Sequence, residues 1–410
     1  MEHPSFADLG VLPVFQARLK EREISGPTEI QERIIPKLEA GESLVFSSPT
    51  GTGKTFAYLL PLIQTKLLAK AGASAGPVIL ICAPTYELCS QIKGEADFLL
   101  ACLKAQSPLP RCSLLIGSAS TGRQIEGLKK DRPLMAAGNP GRLLMLARMG
   151  KLKLKSTEAL VLDEGDRLVS DELFAETSEL VRLIGDSRRG EKAEVADNSN
   201  RGLQTAACSA TFSPKSRERL LSLMGGLSQG GVTSEETGKN EVLRKQVEHW
   251  AFFCEGRRKI DLLRSFIAAA DPRKALIFTG RGGQVGNIVA RLQHNKLAAG
   301  GLWGDMEKKA RKQALDDFRS GRIRFLVTSD LAARGLDISG ISHIIALDTS
   351  ADPDAYVHRA GRTARAGKRG IMVTIGDEAE MRRLSALEKR LGLTVYPKEL
   401  YAGRIASPAE

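Results

Sequence analysis

Leu44-Val45-Phe46-Ser47-Ser48-Pro49-Thr50-Gly51-Thr52-Gly53-Lys54-Thr55-Phe56-Ala57-Tyr58-Leu59-Leu60 runs from an apolar strand through a glycine-rich turn into an apolar helix. That order of elements suits a chain that wraps a triphosphate. Glycines let backbone N–H groups turn inward on phosphate oxygens, the Lys54 ammonium reaches the β and γ phosphates, and the Thr55 hydroxyl ligates Mg²⁺. Ser48, Thr50, Gly51, Thr52 and Gly53 complete the candidate cradle. The strict form of the pattern has glycine where Ser48 stands, so the match is to a relaxed version.

A phosphate loop of this kind needs carboxylates on a neighbouring strand end. Ala159-Leu160-Val161-Leu162-Asp163-Glu164 supplies an apolar strand followed by two acids. Asp163 is expected to hold Mg²⁺ through water and Glu164 to orient or deprotonate the attacking water. The pairing with Lys54-Thr55 points to hydrolysis rather than to passive nucleotide storage.

At 410 residues the chain exceeds one comfortable core and predicts two domains. It contains no run of eighteen apolar residues, and Met1 to Lys20 do not read as an export signal, so a soluble cytoplasmic protein off the membrane is expected. Cys82, Cys89, Cys102, Cys112, Cys208 and Cys254 form no C-x-x-C pair and predict reduced core thiols rather than disulfides or zinc. The net charge of +12 lies mostly in the second half: from Lys245 onward 29 Lys and Arg face 19 Asp and Glu. Such an excess attracts a phosphate backbone.

Short apolar runs alternate with helical stretches: residues 78–82, 114–116, 161–162, 275–278, 325–327 and 344–347. This predicts an α/β protein of two tandem domains with parallel sheets flanked by helices. Residues 186–201 read as a surface loop and 225–240 as the interdomain hinge. The expected boundaries are a first domain over 1–235, a linker over 236–245, a second domain over 246–395 and a short tail over 396–410.

With the phosphate loop and Asp163-Glu164 placed, the remaining motifs follow an order that resembles the DEAD-box family of ATP-dependent RNA helicases, over roughly residues 6 to 370. The resemblance implies two RecA-like lobes that close on ATP, Mg²⁺ and one RNA strand. Phe6 and Gly26-Pro27-Thr28-Glu29-Ile30-Gln31 look like the adenine-reading segment, with the Gln31 amide both donating to and accepting from the base edge. Pro84-Thr85-Tyr86-Glu87-Leu88, Gly117-Ser118 and Asn139-Pro140-Gly141-Arg142 resemble the RNA-backbone segments of the first lobe. Ser209-Ala210-Thr211, with Asp166, resembles the segment that couples hydrolysis to strand separation. In the second lobe, Gly304-Asp305-Met306 with Arg311 and Phe318-Arg319-Ser320-Gly321 looks like an RNA-facing helix. Thr328 to Ile338 resembles the stretch that touches RNA through Thr328 and Arg334 and the ribose through Asp337. His358-Arg359-Ala360-Gly361-Arg362-Thr363-Ala364-Arg365 carries arginines three residues apart. Here the resemblance makes Arg362 and Arg365 arginine fingers and puts His358 and Arg359 in interlobe coupling.

The chain departs from the family pattern in four places, one of them Gly117-Ser118, which stands for a glycine pair. Gly165 takes the alanine position of Asp163-Glu164-Gly165-Asp166, which loosens the backbone there; Tyr86 replaces an arginine, removing a charge from the RNA grip; Trp303 stands where the family often has histidine. The implied activity is RNA-stimulated ATP hydrolysis that unwinds short duplexes or remodels RNA–protein complexes, by a monomer whose protein partners would be ribosomal or RNA-decay factors. Two rival readings are an ATP-gated RNA clamp with weak unwinding and a duplex-DNA translocase. The Gln31 segment and Arg334-Gly335-Leu336-Asp337 favour the RNA branch.

Overall fold

The computed structural model describes residues 4–49, 51–68, 76–103, 111–189, 202–227, 231–236, 245–280, 282–304, 306–333, 338, 340–364 and 369–408. Two compact units divide between Thr237 and Gly238. The first is built on a seven-stranded parallel sheet of β1 (Ser43–Ser47), β2 (Ile79–Cys82), β3 (Cys112–Leu115), β4 (Met135–Gly138), β5 (Ala159–Asp163), β6 (Gln204–Ser209) and β7 (Val232–Glu236), in the order β3-β4-β2-β5-β6-β1-β7. Its inner strands are apolar along their whole length because helices cover both faces. Alternate residues then enter separate cores. Leu44, Phe46, Ile79, Ile81 and Val161 pack on one side, while Val45, Leu80, Leu160 and Leu162 pack on the other.

The second unit repeats the plan with β8 (Val247–Phe253), β9 (Ala275–Phe278), β10 (Ala299–Leu302), β11 (Phe325–Thr328), β12 (His343–Ala346), β13 (Gly370–Gly376), β14 (Val395–Tyr401) and β15 (Arg404–Ala406), ordered β10-β11-β9-β12-β13-β8-β14-β15. Leu276, Phe278, Leu326 and Ile344 face one core and Ala275, Ile277, Val327 and Ile345 the other. The two parallel sheets expected from the sequence are therefore present.

Two boundaries differ from the sequence reading. Residues 396–406 are not a tail. β14 pairs in parallel with β8, from Val395 opposite His249 to Lys398 opposite Phe252, and β15 returns antiparallel on it. Within the stretch read as a hinge, Val232–Glu236 is a strand matched residue for residue with Ser43–Ser47. The linker expected over 236–245 falls almost wholly outside the described residues; of the loop expected over 186–201, the first four residues continue the helix Phe174–Arg189 and the rest lie outside the described residues.

Candidate active site and nucleic-acid interface

Apart from Phe6 and Gln31, which precede β1, the described candidate residues of the first unit lie at or beyond the carboxyl ends of strands, the edge where open α/β sheets bind ligands. The strand order then sorts them. β1, β6 and β5 are neighbours and deliver the phosphate loop, Ser209 and Asp163-Glu164; β2, β4 and β3 are neighbours and deliver Pro84-Thr85, Pro140-Gly141 and Gly117. The candidate nucleotide residues therefore share one half of this edge and the candidate RNA residues the other.

In the nucleotide half, Gly51 and Gly53 take positive φ values of 80° and 85°, and Gly53 caps the helix Lys54–Leu62. Here glycine is required twice over, because a β-carbon on Gly53 would also collide with the Gln31 amide. Lys54 Nζ donates to the Ser48 carbonyl at 2.6 Å, and the Ser48 and Thr52 hydroxyls lie 2.7 Å apart. Ser48 N–H donates to Ser209 O at 3.1 Å, joining the loop to the segment after β6. Thr50 lies outside the described residues.

Asp163 is buried, and its carboxylate is surrounded by donors. Tyr58 Oη donates to Oδ2 at 2.9 Å, while Cys208 Sγ at 3.1 Å and the Glu164 amide at 2.9 Å donate to Oδ1. Burial first, and then the Asp163 charge, push the Tyr58 phenol and the Cys208 thiol well above their ordinary values, so both remain protonated donors. Glu164 sits at φ 50°, ψ 50°, a left-handed conformation that costs a non-glycine residue on the order of 1–3 kcal/mol and that collects at functional sites. Ser209 Oγ donates to Asp166 Oδ1 at 2.5 Å, bringing two expected coupling residues together; the third, Thr211, has a buried hydroxyl without a hydrogen-bond partner. The oxygens of Thr55 and Asp163 are the hard ligands that Mg²⁺ prefers.

Several expected roles meet a different geometry. Gln31 is buried with both amide ends engaged: Oε1 accepts from Thr28 N at 3.0 Å in a capping box, and Nε2 donates to Gly53 O at 3.1 Å. Reading a base would mean exchanging those bonds. Phe6 is buried in the core, which leaves its ring little open face for adenine. Arg142, expected on the RNA backbone, is 8% exposed. Its guanidinium donates to Thr121 Oγ1, Gln124 Oε1, Gly117 O and Ala119 O, so it builds the turn after β3. In contrast, Tyr86 is 49% exposed at the start of the helix Tyr86–Leu100, capped by Thr85.

In the second unit, Arg359, expected in interlobe coupling, is an internal clamp. It binds Asp330 bidentately at 2.6 Å and 2.6 Å and reaches the carbonyl and carboxylate of Asp348 at 2.9 Å and 3.0 Å, tying together the segments after β11 and β12. Burial opposes its charge, but the two carboxylates outweigh it and raise its pKa. Thr328 is fully buried, and its hydroxyl donates to Ser329 O, so it cannot meet RNA without rearrangement. Arg311 donates to Ala332 O at 2.9 Å, Arg362 is buried, and His358 is half-buried. Trp303 is partly exposed beside Gly301, whose missing side chain leaves room for the indole. Arg334, Asp337 and Arg365 lie outside the described residues. Sequence reasoning missed Tyr58 and Cys208, whose apolar settings gave no signal of their contact with Asp163.

A family model described as DEAD/DEAH box helicase matches residues 28–220, and one described as helicase conserved C-terminal domain matches 258–367. The DEAD-box ATP-dependent RNA helicase CshC of Bacillus cereus is 32% identical over 391 residues, covering 95% of this chain and 92% of that protein. The chain belongs to the DEAD-box family of ATP-dependent RNA helicases. Another DEAD-box relative, the CshB helicase of Bacillus cereus, is 32% identical over 95% of this chain and 84% of its own length. Among solved structures, S. cerevisiae Dbp5 bound to RNA and ADP BeF3 is similar with a TM-score of 0.79 at 25% identity, covering 96% of this chain and 95% of that one. Mss116p bound to ssRNA and AMP-PNP gives 0.82 at 23% identity, covering 97% and 80%. Both units are accordingly RecA-like domains. By family this DEAD-box chain is an RNA-stimulated ATPase.

Proposed function

We propose that this DEAD-box protein couples ATP hydrolysis to local opening of short RNA duplexes or remodelling of RNA–protein complexes. The observation that carries the reading is the strand order of the first sheet, which sets the candidate nucleotide residues and the candidate RNA residues on adjoining halves of one carboxyl edge. Lys54 exchanges the Ser48 carbonyl for the β and γ phosphates and balances charge on the transferred group. Glu164, turned out of the strand by its left-handed backbone, orients the attacking water. Thr55 and Asp163 would hold Mg²⁺, which when bound neutralises phosphate charge. Arg362 and Arg365 of the second unit complete the charge around the γ phosphate when both units engage one ATP, and RNA bound by both favours that state.

RNA contacts run along phosphates and 2′-OH groups from Pro84, Thr85, Gly117, Pro140 and Gly141, joined by Arg311 and Arg334, so sequence is not read. The exposed, uncharged Tyr86 supports a second reading as an ATP-gated clamp that grips RNA more than it unwinds it. Free cysteines throughout support a reducing, cytoplasmic setting. We assign a monomer acting with ribosomal or RNA-decay proteins, its second domain extended through β14 and β15.

The test is ATPase and unwinding measured on one preparation with RNA and with DNA. RNA-stimulated turnover with strand separation is expected; turnover without separation selects the clamp, and equal stimulation by duplex DNA selects a translocase. Lys54→Ala should abolish hydrolysis, while Glu164→Gln should retain ATP binding and accumulate an RNA-bound complex. Normal turnover in Glu164→Gln would remove the assignment of the base.

A further inference from the structure

Tyr58 stands three residues after Thr55 on the helix that leaves the phosphate loop, so the two side chains share a face. The phenol is completely buried, donates to Asp163 Oδ2 at 2.9 Å, and is hydrogen-bonded by the Thr55 side chain. It therefore bridges the two residues to which the proposed function gives the metal. From the opposite side, Cys208 lies beside Asp163 in the β5–β6 register, and its thiol donates to Oδ1 at 3.1 Å.

The donor count at Asp163 gives this arrangement a consequence. A carboxylate offers about four acceptor positions, and Tyr58 Oη, Cys208 Sγ and the Glu164 amide occupy three. The carboxylate cannot rotate without breaking them, and one acceptor position is left. A Thr55 hydroxyl that gives its lone pair to a cation must point its proton away from that cation. Tyr58 Oη is placed to accept it while passing its own proton towards Asp163, a support that fixes ligand orientation. Resting on the assignment of Asp163 to the metal, we propose that Tyr58, assisted by Cys208, is a positioning residue that locks Thr55 and Asp163 into one geometry for Mg²⁺-dependent ATP binding. A phenylalanine would fill the same space and provide neither bond.

The readout is the Mg²⁺ concentration that half-saturates binding of a fluorescent ATP analogue to the full chain, beside metal-free affinity for the analogue and the melting temperature in EDTA. Tyr58→Phe should raise the Mg²⁺ midpoint roughly five- to tenfold, the scale of one ordinary hydrogen bond. Metal-free affinity should change less than about twofold on the same scale of reasoning, because the phenol supports metal ligands rather than phosphate donors. Cys208→Ala should raise the midpoint less, the thiol being the weaker donor, and Cys208→Ser should restore it. An unchanged midpoint in Tyr58→Phe at an unchanged melting temperature overturns the proposal. Should Tyr58→Phe fail to fold, the cysteine pair decides: a raised midpoint in Cys208→Ala with recovery in Cys208→Ser supports it, and equal midpoints overturn it. Asp163→Asn separates the two layers, since a wild-type midpoint in that variant removes the metal assignment itself, whereas a shift there with none in Tyr58→Phe removes only the role of the phenol.

Discussion

A methyl group on Gly165 would lie 3.1 Å from Cδ1 and 3.4 Å from Cδ2 of the fully buried Leu220. The backbone of Gly165 is ordinary, so glycine is present for space, not for the loosened chain that its place between Glu164 and Asp166 suggests. Gly165→Ala gains up to about 1 kcal/mol of helix propensity and risks about 1–3 kcal/mol of overpacking. The clash should win. We expect a lower urea midpoint for Gly165→Ala and partial recovery in Gly165→Ala with Leu220→Val; a raised midpoint in the single variant would show that Leu220 yields freely. Arg142 carries a similar lesson, because an arginine in a motif reads as a phosphate contact, whereas its four acceptors here all belong to its own unit. Arg142→Ala should cost about 2–3 kcal/mol, and the salt slope of RNA binding should move by much less than the 0.7 of one phosphate contact. A full phosphate's change in slope at unchanged stability would return Arg142 to the RNA. Motif identity made these residues legible in sequence; their partners, 18 or more positions away, were not.

At the scale of elements, the helix Tyr86–Leu100 starts with an exposed tyrosine, so a larger polar side chain there meets solvent rather than the core. Tyr86→Arg should tighten single-strand RNA binding and steepen its salt dependence by up to about 0.7, against about 0.3–1 kcal/mol lost to a cation at a helix N-terminus. Equal slopes before and after would place Tyr86 off the RNA path. On β12, burial holds the His343 imidazole down at about 4, against 6.5 when solvated. Between those values the unfolded chain binds the proton and the folded chain does not, so stability is full above pH 6.5 and falls as pH drops towards 4. Denaturant midpoints at pH 7 and pH 5 should show that decline, and His343→Gln should flatten it; an equal decline in the variant would assign it to other groups. Inner strands were readable because burial on both faces makes them continuous apolar runs. β7 and β14 were not, since Val-Thr-Ser-Glu-Glu and Val-Tyr-Pro-Lys-Glu-Leu-Tyr sit near sheet edges where polar side chains stay in water.

For the whole molecule, the alternation of apolar runs with helical stretches was enough to forecast two parallel α/β units, and the described residues contain no helix long and apolar enough to cross a membrane. The last strand before the division between the units has a mechanical meaning. β7 lies in full five-residue register against β1, the strand that leads directly into the phosphate loop, and its Glu235 and Glu236 are held by Lys37 and Arg217. Because β7 pairs with β1 along its whole length, any pull on β7 reaches β1 through a parallel ladder whose bonds share the load. β7 is thus anchored on the spine of the nucleotide site, and strain on that edge strand is felt first by the strand that leads into the phosphate loop.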